Sequence, residues 1–338
     1  MIVVSTGCPS GVGPEVSVHA AARLRGVNAV LVGDEATLRA AAESVGVAQR
    51  RLVAYDGSPS SAAGKIAVLN VGPELSAADR KPGKPSQTAG RAQLAYVKAA
   101  YRLAKATPHG ATVSGPVSKA AIAHSGARGA ASFRGHTEYL QKLDGADHAI
   151  MCFAAPGLVT SLVTTHLPLH RVPRALTPET VRESVVELAK LLGLLGIRRP
   201  HIAVASLNPH AGESELLGTE ESRAIVPGIA AARAVLGRSA KLTGPVGAET
   251  AYRLMRSGGF DGVVAMYHDQ ATIPMKLVAF GDAVNVTMGL SVPRTSVDHG
   301  TAYDIAWTGK ADPAGMIAAM KLGEQLAQGR KVRRAAPP

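Results

Sequence analysis

The chain of 338 residues has only two cysteines, Cys8 and Cys152, one tryptophan and 4% aromatic residues. Two distant cysteines with no CxxC pair exclude a disulfide framework and point to a reducing, cytoplasmic setting. So few aromatics leave the core to Ala, Val, Leu and Ile, and no run interleaves them with Lys and Arg as a single-strand nucleic-acid surface would. Long apolar runs are missing too. The most apolar stretch, 149–167, is split by Pro156 and Gly157, so it reads as two core strands and not as a membrane span. The sequence opens directly on strand-like Met1-Ile2-Val3-Val4-Ser5, which leaves no room for a signal peptide. Acidic residues are outnumbered, 25 Asp and Glu against 37 Lys and Arg, for a formal net charge of +12. The cations are scattered, which reads as a solvated basic surface whose field helps to collect small anions.

What is present is an apolar share of 46% with 18% charged residues, enough for a soluble protein with a substantial core. The length suits two packed α/β domains or one large one. β-Branched runs at 2–5, 29–32, 66–70, 111–114, 150–154, 159–165, 202–205, 263–265 and 284–286 read as strands. They alternate with Ala- and Leu-rich helical stretches at 14–25, 88–106, 178–195, 220–236, 248–256 and 314–327. The alternation predicts a parallel or mixed sheet covered by helices on both faces. Thr177-Pro178-Glu179 is a helix start with an N-cap, proline in the first turn and an early acid. Ser58-Pro59-Ser60-Ser61 and Lys81-Pro82-Gly83-Lys84-Pro85 are loop signals. The basic tail from Arg330 onward reads as frayed, with 331–338 disordered.

Several stretches mix polar residues with Gly or Pro beyond what a plain loop needs. Thr6-Gly7-Cys8-Pro9-Ser10-Gly11-Val12-Gly13-Pro14-Glu15 follows a strand and opens a helix, where backbone N–H groups can meet an anion. It is neither GxGxxG nor a P-loop, and a tight strand-to-helix turn explains it equally well. Ser114-Gly115-Pro116-Val117-Ser118-Lys119 precedes Phe133-Arg134-Gly135-His136-Thr137-Glu138, where His136 and Thr137 offer hydrogen bonds to an anionic or hydroxylated ligand; Thr137 could equally be a cap. Three histidines, His166, His210 and His268, each sit just past a strand, where open α/β sheets bind ligands. Three imidazoles suit Zn²⁺ or Co²⁺ with an open position for substrate, although no HExxH or other local zinc spacing is present. Lys276 and Arg294 could hold carboxylate or phosphate, and Asn285 a ligand hydroxyl; each alone would read as a surface or turn residue.

Together these stretches resemble the 4-hydroxythreonine-4-phosphate dehydrogenase family of pyridoxal-phosphate biosynthesis. The resemblance runs from about Ile2 to Met316. It is carried most specifically by GHTEYL at 135–140, NPHAGE at 208–213, YHDQ at 267–270 and RTSVDHGTAYDIA at 294–306. It implies two α/β/α domains around a cleft, similar to isocitrate and isopropylmalate dehydrogenases and not a Rossmann fold. The first domain would take 1–120 and 296–330, and the second 121–295 with the dimer interface. It implies a homodimer whose active site is completed across the interface, with no nucleic acid and no membrane as partner. His166, His210 and His268 become ligands of one divalent ion per subunit (Zn, Co or Mg), a trio shared between subunits. His136, Thr137, Lys276, Asn285 and Arg294 become substrate contacts. His299, Gly300 and Thr301 become contacts of NAD or NADP. Lys276 and Glu249 are the catalytic candidates for proton transfer. The implied reaction is NAD(P)-linked oxidation of a phosphorylated hydroxy acid. Its rivals are a related dehydrogenase of four-carbon sugar-acid phosphates such as D-threonate or D-erythronate 4-phosphate, a dehydrogenase of aromatic cis-dihydrodiol carboxylates, and a three-histidine zinc hydrolase. The sequence departs from the family pattern at Cys8, which stands where an Asp is usual, at Glu249 in the GPxxADT stretch, at Trp307 in place of a Gly, and at Arg134 before Gly135.

Overall fold

The computed structural model describes residues 1–24, 26–58, 64–279 and 281–329. The chain divides into two compact units, Met1–Asp147 with Leu290–Gln328, and His148–Gly289. The tail expected to be disordered, 331–338, lies outside the described residues. The first unit opens with β1 (Ile2–Ser5), α1 (Gly13–Arg23), β2 (Ala29–Gly33), α2 (Glu35–Ser44), β3 (Leu52–Ala54), β4 (Ile66–Asn70), α3 (Gln87–Ala106), β5 (Ala111–Ser114), α4 (Lys119–Ala123) and α5 (His136–Asp144). The second holds β6 (Ile150–Ala155), β7 (Leu158–Leu162), α6 (Val172–Ala175), α7 (Pro178–Leu194), β8 (His201–Ala205), α8 (Val226–Leu236), β9 (Lys241–Val246), α9 (Ala248–Arg256), β10 (Gly262–Ala265), α10 (His268–Ala279) and β11 (Val284–Met288). The chain then returns to the first unit with β12 (Arg294–Ser296) and α11 (Ala314–Gln328). No helix among the described residues is long and apolar enough to cross a membrane.

The units divide at 147/148 and 289/290, where the sequence placed the boundaries at 120/121 and 295/296. Packing accounts for the difference. Ile122 joins Leu94, Ala130 and Phe133 in one buried cluster, and Leu140 joins Val3, Tyr96, Tyr101 and Val292 in another. Residues 121–147 therefore share their core with α3 and stay with the first unit.

In the first unit the strand order is β3-β4-β2-β1-β5-β12, and the pairs are parallel throughout. β1 and β5 are buried along their whole length, as expected of strands covered on both faces. From β1 the chain moves out to β2 on one side and later returns to β5 on the other. The carboxyl ends of β1 and β5 thus flank a topological switch point, the usual place for a ligand crevice. In the second unit the order is β11-β6-β7-β10-β8-β9. β11, β6 and β7 pair antiparallel, and β7, β10, β8 and β9 parallel. The turn between β6 and β7 is Pro156-Gly157, with Gly157 at φ +73°, the break that the sequence showed. The core of this unit gathers Phe153, Leu162, Tyr252, Met255, Val263 and Met275.

Elements that the hydrophobic pattern did not reveal have local reasons. β9 carries Gly244-Pro245, a turn signal in sequence; it ends the second unit's strand order, and a position without an N–H is tolerated on an outer strand. α10 holds Pro274 in its interior, which masks a helix beginning at His268. β12 is three residues long. α7 matches the cap reading: Thr177 Oγ1 accepts from Thr180 N, with Pro178 in the first turn.

Candidate active site

In the second unit the three histidines follow β7, β8 and β10. Val163 N donates to Ala265 O at 2.8 Å, and Thr164 Oγ1 to Met266 O at 2.7 Å, which ties the loop after β7 to the loop after β10. As a result the rings of His166 and His268 lie 5.7 Å apart, centroid to centroid, tilted by 38°. Two imidazoles on one tetrahedral ion, at ordinary metal–nitrogen distances, have centroids about 5 Å apart. His268 Nδ1 lies 2.8 Å from Asp269 Oδ1. With that nitrogen protonated toward the carboxylate, Nε2 keeps its lone pair for a ligand, the usual support of a metal-bound histidine. The donor set therefore fits a borderline divalent ion.

His210 lies on the neighbouring loop. Gln270 joins the two loops: its Oε1 accepts from Met266 N at 2.6 Å, and its Nε2 donates to Ser206 O at 2.8 Å. Buried Glu221 fixes the start of the His210 loop by accepting from Leu207 N and Asn208 N, both at 2.8 Å, and from Asn208 Nδ2 at 2.9 Å. Beyond it, His210, Ala211, Glu213, Ser214 and Glu215 all have positive φ, between 43° and 72°. Each such non-glycine residue is strained by about 1 kcal/mol or more. His210 is exposed, and among the described residues no group of three His, Cys, Asp or Glu side chains converges as a metal cluster. The fold thus brings together two members of the expected trio and holds the third on a strained, exposed loop.

Lys276 is exposed in the last turn of α10. Asn285 on β11 is half-buried, and its Oδ1 finds no hydrogen-bond donor among the described residues. Glu249 stands exposed in the first turn of α9, where Arg253 Nε donates to its Oε1 at 2.9 Å and Thr250 Oγ1 to its Oε2 at 3.0 Å. These two partners hold its carboxyl below the usual range. A depressed pKa suits a surface pair better than a general base.

In the first unit, His136 opens α5 and Arg294 opens β12. Arg294 is buried, with Nε donating to Ser114 Oγ at 3.3 Å at the end of β5. Burial pulls its pKa down to about 10, which still leaves it charged at neutral pH. His136 packs edge-on to Phe133, and its Nε2 is buried without a partner among the described residues. Burial, followed by the charges of Arg294 and Lys119, holds its imidazole well below the ordinary value and therefore neutral. Thr137 follows it in the first turn of α5, whose N-cap Gly135 offers no side-chain oxygen. A charged guanidinium, an unsatisfied ring nitrogen and a helix start without a side-chain cap make an anion-binding set.

The first unit also assembles the glycine-rich loop after β1. Cys8 N donates to Pro116 O at 2.8 Å and Gly115 N to Ser5 O at 2.8 Å. A Cβ on Gly13 would stand 2.2 Å from Thr6 O, and one on Gly11 2.7 Å from Thr301 O, so side chains are excluded there. Val12 N donates to Thr301 O at 3.0 Å, which seats the 299–303 stretch on this loop. His299 and Gly300 are exposed and Thr301 is half-buried. Cys8 Sγ is buried 3.5 Å from Tyr303 Oη, and burial pushes its thiol up. Glu15 is fully buried and accepts from Trp307 N at 2.6 Å, Gly309 N at 2.9 Å and Ser44 Oγ at 3.3 Å. Trp307 Nε1 donates to Pro9 O at 3.0 Å. Neither Glu15 nor Trp307 stood out in sequence as a fastener of these loops, because their partners are nearly 300 positions away in the chain.

The chain is similar to known proteins along most of its length. A family model described as pyridoxal phosphate biosynthetic protein PdxA matches residues 26–323. A protein of Aromatoleum aromaticum named 4-hydroxythreonine-4-phosphate dehydrogenase is 38% identical over 335 residues, covering 99% of this chain and 98% of its own. A crystal structure of a 4-hydroxythreonine-4-phosphate dehydrogenase from Klebsiella pneumoniae superposes with a TM-score of 0.83 at 36% identity, over 97% of this chain and 98% of that one. A terephthalate 1,2-cis-dihydrodiol dehydrogenase from Burkholderia xenovorans superposes with a TM-score of 0.68 at 30% identity, over 96% of this chain and 97% of that one.

Proposed function

This chain belongs to the PdxA family of pyridoxal phosphate biosynthetic proteins, and on that premise we propose that it oxidises 4-phosphohydroxy-L-threonine with NAD or NADP and a divalent ion. The product, 2-amino-3-oxo-4-phosphooxybutanoate, is a β-keto acid and loses CO₂ to give 3-amino-2-oxopropyl phosphate. The observation that carries the reading is the His166–His268 pair, 5.7 Å apart at the ends of β7 and β10, with Asp269 orienting one ring.

His166 and His268, with His210, would hold the metal, which would supply polarisation of the substrate hydroxyl, and the dinucleotide would supply the hydride acceptor. The chain's own residues do the rest. His136, Thr137 and Arg294 take an anionic group of the substrate. Asn285 bonds a substrate hydroxyl or amine through its unsatisfied Oδ1. Lys276 Nζ is the first candidate to accept the hydroxyl proton. Glu249, already engaged by Arg253 and Thr250, is a weaker candidate for that step. His299, Gly300 and Thr301 border the dinucleotide, with Val12 N holding the Thr301 carbonyl in place.

His210 completes the metal set from a second copy of the chain. Two observations support a homodimer. His210 lies on an exposed loop of the second unit, and each histidine segment carries exposed apolar residues: Leu167 and Leu169 beside His166, Leu216 beyond His210, Ile273 and Leu277 beyond His268. Leu216 and Leu277 are each 81% exposed, and a second copy covering them would remove that apolar surface from water.

The deciding experiment supplies purified protein with 4-phosphohydroxy-L-threonine or D-threonate 4-phosphate, with NAD or NADP, with and without chelator. Formation of reduced nicotinamide from the threonine phosphate, abolished by chelation and restored by metal, is the expected result. Turnover of the threonate ester alone would transfer the same site chemistry to a sugar-acid phosphate.

A further inference from the structure

Lys119 has no place in the substrate grip described above. It opens α4 directly after β5 and is exposed. Its aliphatic end nevertheless lies over the start of α5: a methyl group placed on Gly135 would stand 4.0 Å from Lys119 Cε. Gly135 is the N-cap of α5 and supplies no side-chain oxygen, so the first amides of that helix have no cap from it. His136 feels the charge of Lys119 as it feels that of Arg294, and its buried Nε2 is unpartnered among the described residues. An ammonium, a guanidinium, a neutral imidazole and a helix start therefore gather within one unit. The anion that faces them is Glu138. Its Oε2 lies 3.0 Å from the same position over Gly135, and Arg294 senses its charge.

We propose that Lys119 binds the phosphate of the substrate, completing the grip of His136, Thr137 and Arg294, and that Glu138 occupies this cationic site until the phosphate displaces it. This rests on the substrate reading given above. A dianionic phosphate with three terminal oxygens suits two cations and a helix start better than a carboxylate does, because it can accept from all of them at once. Glu138, one residue beyond Thr137 on the first turn, lies within reach of the same donors and can swing out to solvent without disturbing α5.

The test uses the full-length protein and the variants Lys119→Ala, Lys119→Arg and Glu138→Gln. Losing one charge-assisted contact should raise KM for 4-phosphohydroxy-L-threonine on the order of 10- to 100-fold in Lys119→Ala with kcat little changed. Lys119→Arg should recover most of it, and Glu138→Gln should lower KM. The dephosphorylated analogue, 4-hydroxythreonine, should bind equally to wild type and Lys119→Ala by calorimetry. Equal weakening for both compounds would move Lys119 to the carboxylate and overturn the proposal, as would unchanged KM and binding for both. If wild type fails to turn over the threonine phosphate, the substrate reading fails by itself. Protection of wild type against thermal unfolding by inorganic phosphate, lost in Lys119→Ala, still reads the site; no difference between the two proteins overturns it.

Discussion

In the first unit the loops at the strand ends are sealed by backbone. Glycines at 11 and 13 let main chains approach where a Cβ would collide, Val12 N closes on Thr301 O, and buried Glu15 ties down Trp307 and Gly309. In the second unit the corresponding loops are held by side chains: Thr164, Gln270 and Glu221. They end in a run of positive-φ residues and exposed leucines around His210. The first arrangement completes its contacts within one unit. The second brings two histidines together and holds the third on a strained, exposed loop. Fixed amides suit the dinucleotide surface proposed for the first unit, and accessible, adjustable ligands suit the metal site proposed for the second.

The largest effect that would test this contrast is at the metal pair. His268→Ala should reduce metal content below one ion per subunit, read by elemental analysis, and lower turnover by about three orders of magnitude, since metal polarisation is worth several kcal/mol. Full activity of that variant in chelator would remove the metal from the mechanism. Next is the sealed loop. Gly13→Ala forces a Cβ to within 2.2 Å of Thr6 O and should cost about 3 kcal/mol in chemical denaturation, the scale of strongly overpacked sites. An unchanged denaturation midpoint would mean that the backbone approach is not as close as described. Asp269→Ala should leave the fold intact and weaken metal affinity by about 10- to 100-fold, through loss of the His268 orientation.

Acid sensitivity sharpens the comparison further. Burial and two neighbouring cations hold His136 well below its ordinary value of 6.5, so below that pH the unfolded chain binds a proton there that the folded chain refuses. The stability contributed by neutral His136 is complete above about pH 6.5 and falls as pH drops through that value. His136→Asn should therefore lose less Tm than wild type between pH 7.5 and 5.5; His19 and His201, also lowered, are common to both proteins and cancel. The smallest effect belongs to Glu249→Gln, which should leave kcat unchanged because the Glu249 carboxylate is engaged in an exposed pair with Arg253. A collapse of kcat would restore Glu249 as the base.

Much of the candidate site could be proposed before folding, because its signals are local. His166, His210 and His268 each follow a β-branched run, and a strand end is where an α/β sheet presents ligands. The Thr177 cap and the Pro156-Gly157 turn were visible for the same reason. What escaped was non-local or disguised. β9 hides behind Gly244-Pro245 and α10 behind Pro274, since the rules for proline breaking an element assume an interior strand or an unsupported helix. The assignment of 121–147 to the first unit depended on Ile122 and Leu140 finding the α3 core, and no local pattern encodes which core an apolar residue joins.

The sequence by itself determined the residue types that chemistry requires and the order in which they occur: three imidazoles at strand ends, a His-Thr pair at a helix start, an Arg ahead of HGTAYDIA, and a family signature long enough to name the reaction class. Tertiary structure decided which of them meet. It set His166 against His268, oriented one ring through Asp269, left His210 on a strained exposed loop, and turned Glu249 toward Arg253. It also placed the Lys119 side chain over the first turn of α5 beside His136. The physical reason is range. Strand ends, caps and turns follow from a few neighbouring residues, while charge and ligand geometry depend on distances between side chains that only the packed sheet brings together.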